Sequence, residues 1–388
     1  MFTVGLNKGE EKDVLAGFPW IYNNEVAFFE GTIENGQIVK VVSFDQAFVC
    51  YGMINLDSKI MIRVLSLSEE VPDESFFKKR MQMAIDHRRN LGWLGCCRLI
   101  FAEADGLPGL IVDQYGDCLV MQVLCLGMEK IKPQLVSLLV ELLHPKSIYE
   151  RSDAPIRLKE GLDLRKGFLY GTSPTQIEVT ENGILLRIDI ENGQKTGYFL
   201  DQKKNRMELQ YYVKDKVVLD CFSHTGGFAL HAALYGAKQV DACDISQKAV
   251  EDILYHAKLN HFDQIHAICT DVFDYLRQET IKDRYDVIIL DPPAFTKSKD
   301  TVKNAYRGYK EINLQALKNL KKGGYLFTFS CSYHMTPTLF MDMINKASID
   351  SRRRVQMVDF KIQAADHPVL LEGQEQLYLK CMILRVLD

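Results

Sequence analysis

VVLD (residues 217–220), QVDACD (239–244), HAICTD (266–271), VIILD (287–291) and YLFTFSC (325–331) are the runs whose reading decides the fold. Each is short and rich in β-branched or aromatic residues, and each is separated from the next by a segment long enough for a helix. That alternation predicts an α/β domain, a doubly wound, Rossmann-like parallel sheet. Ligands of such sheets bind outside the carboxyl ends of the strands. The first four runs end on Asp220, Asp244, Asp271 and Asp291, and the fifth ends on Cys331. The pattern therefore predicts one crevice lined by four carboxylates and a thiol.

The stretch after the first run, DCFSHTGGFALHAALYGA, opens with Ser223, Thr225, Gly226 and Gly227. Glycines let a ligand approach the backbone, and the first turn of a helix offers free N–H groups. The spacing is not the GxGxxG of a dinucleotide loop, which disfavours an NAD oxidoreductase. Asp244, ending the second strand, suits the ribose hydroxyls of a nucleoside cofactor, a placement shared by NAD and S-adenosylmethionine enzymes. Asp271, followed by Val272 and Phe273, suits an adenine amino group beside an aromatic face. Each acid taken singly also reads as a helix N-cap.

In VIILDPPAF, Pro292 and Pro293 fix the backbone and remove two N–H donors, leaving rigid carbonyls beside Asp291 that suit a planar base. Cys331 reaches the same rim. A thiolate is a strong nucleophile when neighbours lower its pKa from about 8.5. Cytosine C5 becomes nucleophilic only after another nucleophile adds at C6. A cysteine facing a sulfonium donor and a base-binding acid is what that reaction needs, although a cysteine read alone is more often a small buried apolar residue.

A chain of 388 residues points to two or three domains. Residues 1–72 read as an all-β barrel, with GTIENGQIVKVVSF and QAFVCYGMINL alternating apolar and polar positions around turns such as Asn35-Gly36. SEEVPDESFFKKRMQMAIDHRRNLG then reads as a helix with Phe76, Phe77, Met81, Ile85 and Leu91 on its apolar side. It opens an α+β middle domain, residues 73–175, in which CLVMQVLCL and KSIYERSD flank the helix EKIKPQLVSLLVELLH. The third domain is 176–388, entered through ILLRIDIENGQKTGYFLDQKKNR as two strands around an Asn-Gly turn.

The net charge of −4 argues against a protein coated in positive charge, so any surface for nucleic acid must be local. Candidate patches are Lys297, Lys299, Lys303, Arg307 and Lys310 after the DPP loop, Lys78–Arg80 with His87–Arg89, and Arg352–Arg354; solvated helix faces explain such runs equally well. Ten cysteines are scattered without a CxxC pair or zinc spacing, as reduced intracellular thiols are. No run approaches the roughly 18 apolar residues of a membrane span, so a cytoplasmic protein with no membrane partner is expected.

DPPAFTKSK, YRGYKEIN, TFSCSYHM and QAADHPV, preceded by GQKTGYFLDQKKNR and DCFSHTGGF, resemble the bacterial 23S rRNA (cytosine-C5) methyltransferases, class I S-adenosylmethionine enzymes with an N-terminal PUA domain. LNKGEEKD, GFPWIYNNEV and SKIMIRVL are similar to that family's PUA segment, so the resemblance covers essentially the whole chain. It implies S-adenosyl-L-methionine as cofactor, with S-adenosyl-L-homocysteine as product. It also implies a cofactor site formed by Gln194, Phe199, Asp201, Asn205, Arg206, Phe222, Ser223, Thr225, Gly226, Asp244, Asp271 and Asp291. Cys331 becomes the nucleophile and Asp291 the base-holding acid. Pro292, Pro293, Phe295, Lys297 and Arg307 are expected substrate contacts, and the expected partner is large-subunit ribosomal RNA.

Two departures stand out. Many RNA cytosine-C5 methyltransferases carry a second cysteine after the proline of this loop, whereas Pro293 and Ala294 stand here; and LLEGQEQLYLK replaces a short acidic-glycine turn. Related guanine methyltransferases of the large subunit share the DPPxF loop. A guanine enzyme and an RNA-binding protein without catalysis are therefore the rival readings. The large N-terminal domains leave room for a homodimer.

Overall fold

The computed structural model describes residues 2–296, 299–373 and 376–388, with Lys299 as backbone only. The chain forms two compact units that interleave in sequence: 1–179, 187–200 and 365–376 build the first, and 180–186, 201–364 and 377–388 build the second.

The first unit contains a six-stranded sheet in the order Trp20–Tyr22, Ile60–Ser66, Phe48–Ile54, Ile38–Val42, Thr3–Leu6, Val26–Glu30. Its core is β-branched and aliphatic: Val4, Leu6, Ile21, Val39, Val41, Val49, Ile54 and Ile62 are almost fully buried. A five-stranded sheet follows, ordered Arg165–Gly171, Ser147–Ser152, Cys118–Val123, Leu110–Tyr115, Cys96–Phe101. The helix Glu74–Asn90 starts where Asp73 accepts the Phe76 N–H at 3.0 Å, and it buries Phe77, Met81, Ala84 and Ile85. Arg88, expected on a basic surface, is instead fully buried on this helix and forms a two-pronged ion pair with Asp105 at 2.7 and 2.8 Å. It cannot serve a phosphate, because its guanidinium is already neutralised inside the protein.

The entry to the second unit departs from expectation. The hairpin strands are Gln176–Glu181 and Ile184–Asp189, so the chain reverses at Asn182-Gly183, whose φ values of 52° and 89° suit a two-residue hairpin turn. The later Asn192-Gly193 is followed by no strand. Asp189 captures the Glu191 and Asn192 N–H groups at 3.0 and 2.8 Å, and a side chain at Gly193 would meet the Asp189 carbonyl at 2.4 Å. A tight Asx-type turn has used the glycine for close approach rather than for a hairpin.

The second unit is a seven-stranded sheet, whose strands we number β1 (Val217–Cys221), β2 (Gln239–Asp244), β3 (Ile265–Cys269), β4 (Tyr285–Leu290), β5 (Leu320–Ser330), β6 (Val355–Ile362) and β7 (Lys380–Val386). Five of its helices are α1 (Gly227–Leu234), α2 (Gln247–Leu259), α3 (Val272–Leu276), α4 (Val302–Asn319) and α5 (Pro337–Ser351). The order is β3-β2-β1-β4-β5-β7-β6; β1 to β5 pair in parallel, and β7 runs antiparallel to both β5 and β6. The central strands are buried on both faces, as a parallel sheet requires: Val218, Leu219, Val287, Ile288, Ile289, Leu326 and Phe327 have no exposed surface. The strand order reverses at β1 and β4, and the crevice at such a switch point is where ligands bind.

Candidate active site

The turn leaving β1 is held in an unusual backbone conformation. Phe222, His224 and Gly226 have φ of 60°, 51° and 88°, and positive φ at a bulky residue such as Phe222 costs on the order of 1–3 kcal/mol. The neighbours over-determine it: the Ser223 N–H bonds the Cys243 carbonyl at 3.0 Å, the His224 N–H bonds the Asp244 carboxylate at 2.9 Å, and the Gly226 N–H bonds the Ser223 carbonyl at 2.8 Å. His256 on α2 donates Nδ1–H to the Thr225 carbonyl at 3.1 Å. A side chain on Gly226 would press on Ile253 at 3.3 Å, so the turn and α2 pack closely.

Asp220 lies beneath this turn. One carboxylate oxygen accepts the Ser223 hydroxyl and, at 3.0 Å, the Ala229 N–H; the other, sealed from solvent, has no hydrogen-bond partner. Burial first, and then the charges of Asp291 and Asp244, raise its pKa to about 7, against the opposing pull of the Ser223 and Ala229 donors. A buried orphan acceptor at a switch-point crevice is a place for a cationic or N–H-bearing ligand group. The sequence put Asp220 at the rim but assigned it no contact. The signal that would have done so is its register: Asp220 faces Ala242 and Ile289, one residue inside the strand end, where water is excluded.

The other acids divide. Asp244 accepts the His224 and Ser246 N–H groups, both at 2.9 Å, and so couples the β2 end to the β1 turn. Asp271 caps α3 by accepting the Phe273 and Asp274 N–H groups at 2.7 and 3.3 Å. Asp291 follows β4 directly, half-buried, with its N–H toward the Cys221 carbonyl at 3.5 Å. Cys331 follows β5, half-buried, and its Sγ lies 3.8 Å from the Pro292 carbonyl. The thiol and the DPP loop therefore meet. Phe295 stacks on Tyr309 with ring centroids 4.6 Å apart, while Pro293 and Arg307 are exposed. Lys297 lies outside the described residues.

The residues upstream of β1 take structural partners. Asp201 accepts the Tyr378 hydroxyl at 2.6 Å, and Asn205 donates to Gln202 and to the Ile362 carbonyl at 2.7 and 3.3 Å. Arg206 is buried and paired with Glu181 through Nε at 2.8 Å and a terminal nitrogen at 2.6 Å. His231 on α1 is held neutral, its pKa pushed by burial to about 3, with Asn182 at 3.0 Å from Nε2 and Nδ1–H donated to the Gly227 carbonyl at 2.7 Å. Gln194 and Phe199 belong to the first unit, where Gln194 accepts the Gly197 N–H at 2.8 Å through its carbonyl and the Lys195 ammonium lies 4.5 Å from the Phe199 ring centroid.

Residues 162–357 match the family model described as S-adenosylmethionine-dependent methyltransferase, and residues 4–67 match a PUA-like domain. The chain belongs to the S-adenosylmethionine-dependent methyltransferases. The ribosomal RNA large subunit methyltransferase I of Klebsiella pneumoniae (strain 342) is 41% identical over 390 residues, covering 98% of each chain. That of Vibrio cholerae serotype O1 (strain ATCC 39541) is 41% identical over 395 residues, covering 99% of each. This methyltransferase is thus a member of the methyltransferase I family along its whole length. A crystal structure of SMU.776, a candidate methyltransferase in complex with SAH, superposes with a TM-score of 0.84 at 25% identity, covering 100% of both chains. S-adenosylmethionine is accordingly the cofactor. The strained β1 turn and Asp244, with the buried Asp220 carboxylate beneath them, present polar groups that fit a nucleoside bearing positive charge. Among the described residues no helix is long and apolar enough to cross a membrane, and no cluster of histidine, cysteine and acid side chains could hold a metal.

Proposed function

We propose that this methyltransferase forms 5-methylcytosine in large-subunit (23S) ribosomal RNA, with Cys331 as the nucleophile. The observation that carries the reading is the meeting of Cys331 with the Asp291-Pro292-Pro293 loop, Sγ 3.8 Å from the Pro292 carbonyl at the mouth of the β4–β5 crevice. Methylation at a ring nitrogen or an exocyclic amine needs no covalent adduct and gives no reason for a half-exposed thiol there. The name of the relatives, ribosomal RNA large subunit methyltransferase I, supports ribosomal RNA of the large subunit as substrate, and the PUA-like domain supports an RNA-holding role for the first unit.

In this reading the target base leaves its stack and enters beside the DPP loop, where Asp291 and the Pro292 carbonyl accept hydrogen bonds from its Watson–Crick edge. Cys331 adds to C6 while N3 takes up a proton, and electron density moves to C5, which takes the methyl group; loss of the C5 proton to a base then expels the Cys331 thiolate and restores the aromatic ring. The bound cofactor supplies a methyl cation equivalent. Asp220, Asp244 and Asp271, with Phe222, Ser223, Thr225 and Gly226, hold the nucleoside and amino-acid portions; Phe295 and Arg307 steady the RNA. A cytoplasmic location follows from that substrate. A homodimer, for which the first unit leaves room, is tested by light scattering.

Nucleoside mass spectrometry of ribosomal RNA, with and without the gene, is the deciding experiment. Loss of one 5-methylcytosine on deletion supports the reading. Loss of a methylguanine instead transfers the enzyme to the guanine class, and no change together with absent cofactor binding by calorimetry leaves an RNA-binding protein.

A further inference from the structure

Lys380, the first residue of β7, has no exposed surface. It pairs in register with Ser330 at the end of β5, one residue before Cys331. Its ammonium donates to the Ser332 carbonyl at 2.6 Å and to the Tyr378 carbonyl at 2.7 Å. No carboxylate forms an ion pair with it among the described residues. A buried ammonium costs several kcal/mol unless an opposite charge compensates it, and two neutral carbonyls compensate only in part. Packing alone would be served as well by methionine.

We propose that Lys380 is the counter-cation of Cys331: it holds the sulfur in its thiolate form and fixes the Cys331-Ser332 backbone at the rim. It is a positioning residue acting through Cys331. The inference rests on Cys331 being the reactive thiol of the proposed function. Burial lowers the Lys380 pKa to about 8, and the Cys331 charge is the one neighbouring group that raises it. Among the described residues, the titratable groups beside the pair include Tyr309 on α4, whose hydroxyl lies 3.1 Å from the Ser332 hydroxyl and whose ionisation is opposed by burial and by Cys331, and Asp291 directly after β4. Neither is a cation. Among the described residues Lys380 is therefore the positive charge built into this strand end, with two of its three N–H groups on the Ser332 and Tyr378 carbonyls.

The test follows Cys331 alkylation by iodoacetamide, peptide by peptide in the mass spectrometer, from pH 6 to 9.5 in the full chain and in Lys380→Met. Removing the cation raises the midpoint by about one pH unit or more, a roughly tenfold slower reaction at pH 7. An unchanged profile in a folded Lys380→Met protein overturns the inference, whatever that variant does to stability. If Lys380→Met does not fold, the reciprocal measurement decides: with 13C-labelled lysine, the Lys380 titration drops to lower pH in Cys331→Ser if the charges are coupled and stays in place if they are not. Neither readout uses RNA. Absence of 5-methylcytosine would sink the proposed function and leave the pairing intact, while an unshifted profile would sink the pairing alone.

Discussion

Ser223 turns its hydroxyl back onto Asp220, so the β1 turn is stitched to a carboxylate that has no solvent of its own. The folded protein holds that carboxyl proton up to about pH 7, against 3.8 for an ordinary aspartate. Between those values the native state binds more protons than the unfolded chain, so stability falls as pH rises from about 4 to 7 and levels off above. The loss has an upper bound on the order of 4 kcal/mol. Asp220→Asn keeps an acceptor for Ser223 and Ala229 and removes the titration. Thermal melts at pH 5 and pH 8 should separate for the parent and coincide, as far as this group is concerned, for the variant.

Cofactor binding should release a proton. A ligand carrying positive charge beside the orphan oxygen favours ionised Asp220, so calorimetric enthalpies measured at pH 6.5 in phosphate and in Tris should differ for the parent. The difference should vanish in Asp220→Asn. Equal enthalpies for the parent in the two buffers would place the charge elsewhere.

Cys331→Ala should lose at least a thousandfold in methyl transfer while binding S-adenosylmethionine within about twofold of the parent. Single-turnover transfer from labelled cofactor measures the first and calorimetry the second. Methylcytosine still formed by this variant would exclude the covalent route.

Arg206 and Arg307 should part company. Arg206→Ala removes a buried ion-pair partner of Glu181 and should cost about 3–5 kcal/mol, visible as a large drop in melting temperature. Arg307 is exposed and makes no such pair among the described residues, so Arg307→Ala should leave the melt unchanged. It should weaken RNA binding and flatten the salt dependence of log K by somewhat less than one.

The parallel part of the sheet was legible because its strands are doubly buried, so they read as unbroken apolar runs whose first polar residue marks the crevice. The antiparallel β7 was not. CMIL (381–384) is equally apolar, but four such residues read as helix or strand alike, and no neighbouring pattern arbitrates. The ENG triplets at 181–183 and 191–193 have the same turn chemistry, and only the Asp189 carboxylate, a non-adjacent partner, separates them. Arg88 looked like its neighbours Arg89 and His87, because a basic run on a helix does not reveal which residue points inward. Lys380 is hidden for a related reason: nothing in its sequence neighbourhood separates a buried lysine from a solvated one.

β7 is inserted between β5 and β6 although it is the last strand in chain order. During synthesis β6 therefore emerges before its ladder partner, with the backbone groups that β7 will pair left open. The sheet therefore closes only once β7 has been made, and until then β5 and β6 each present an open edge.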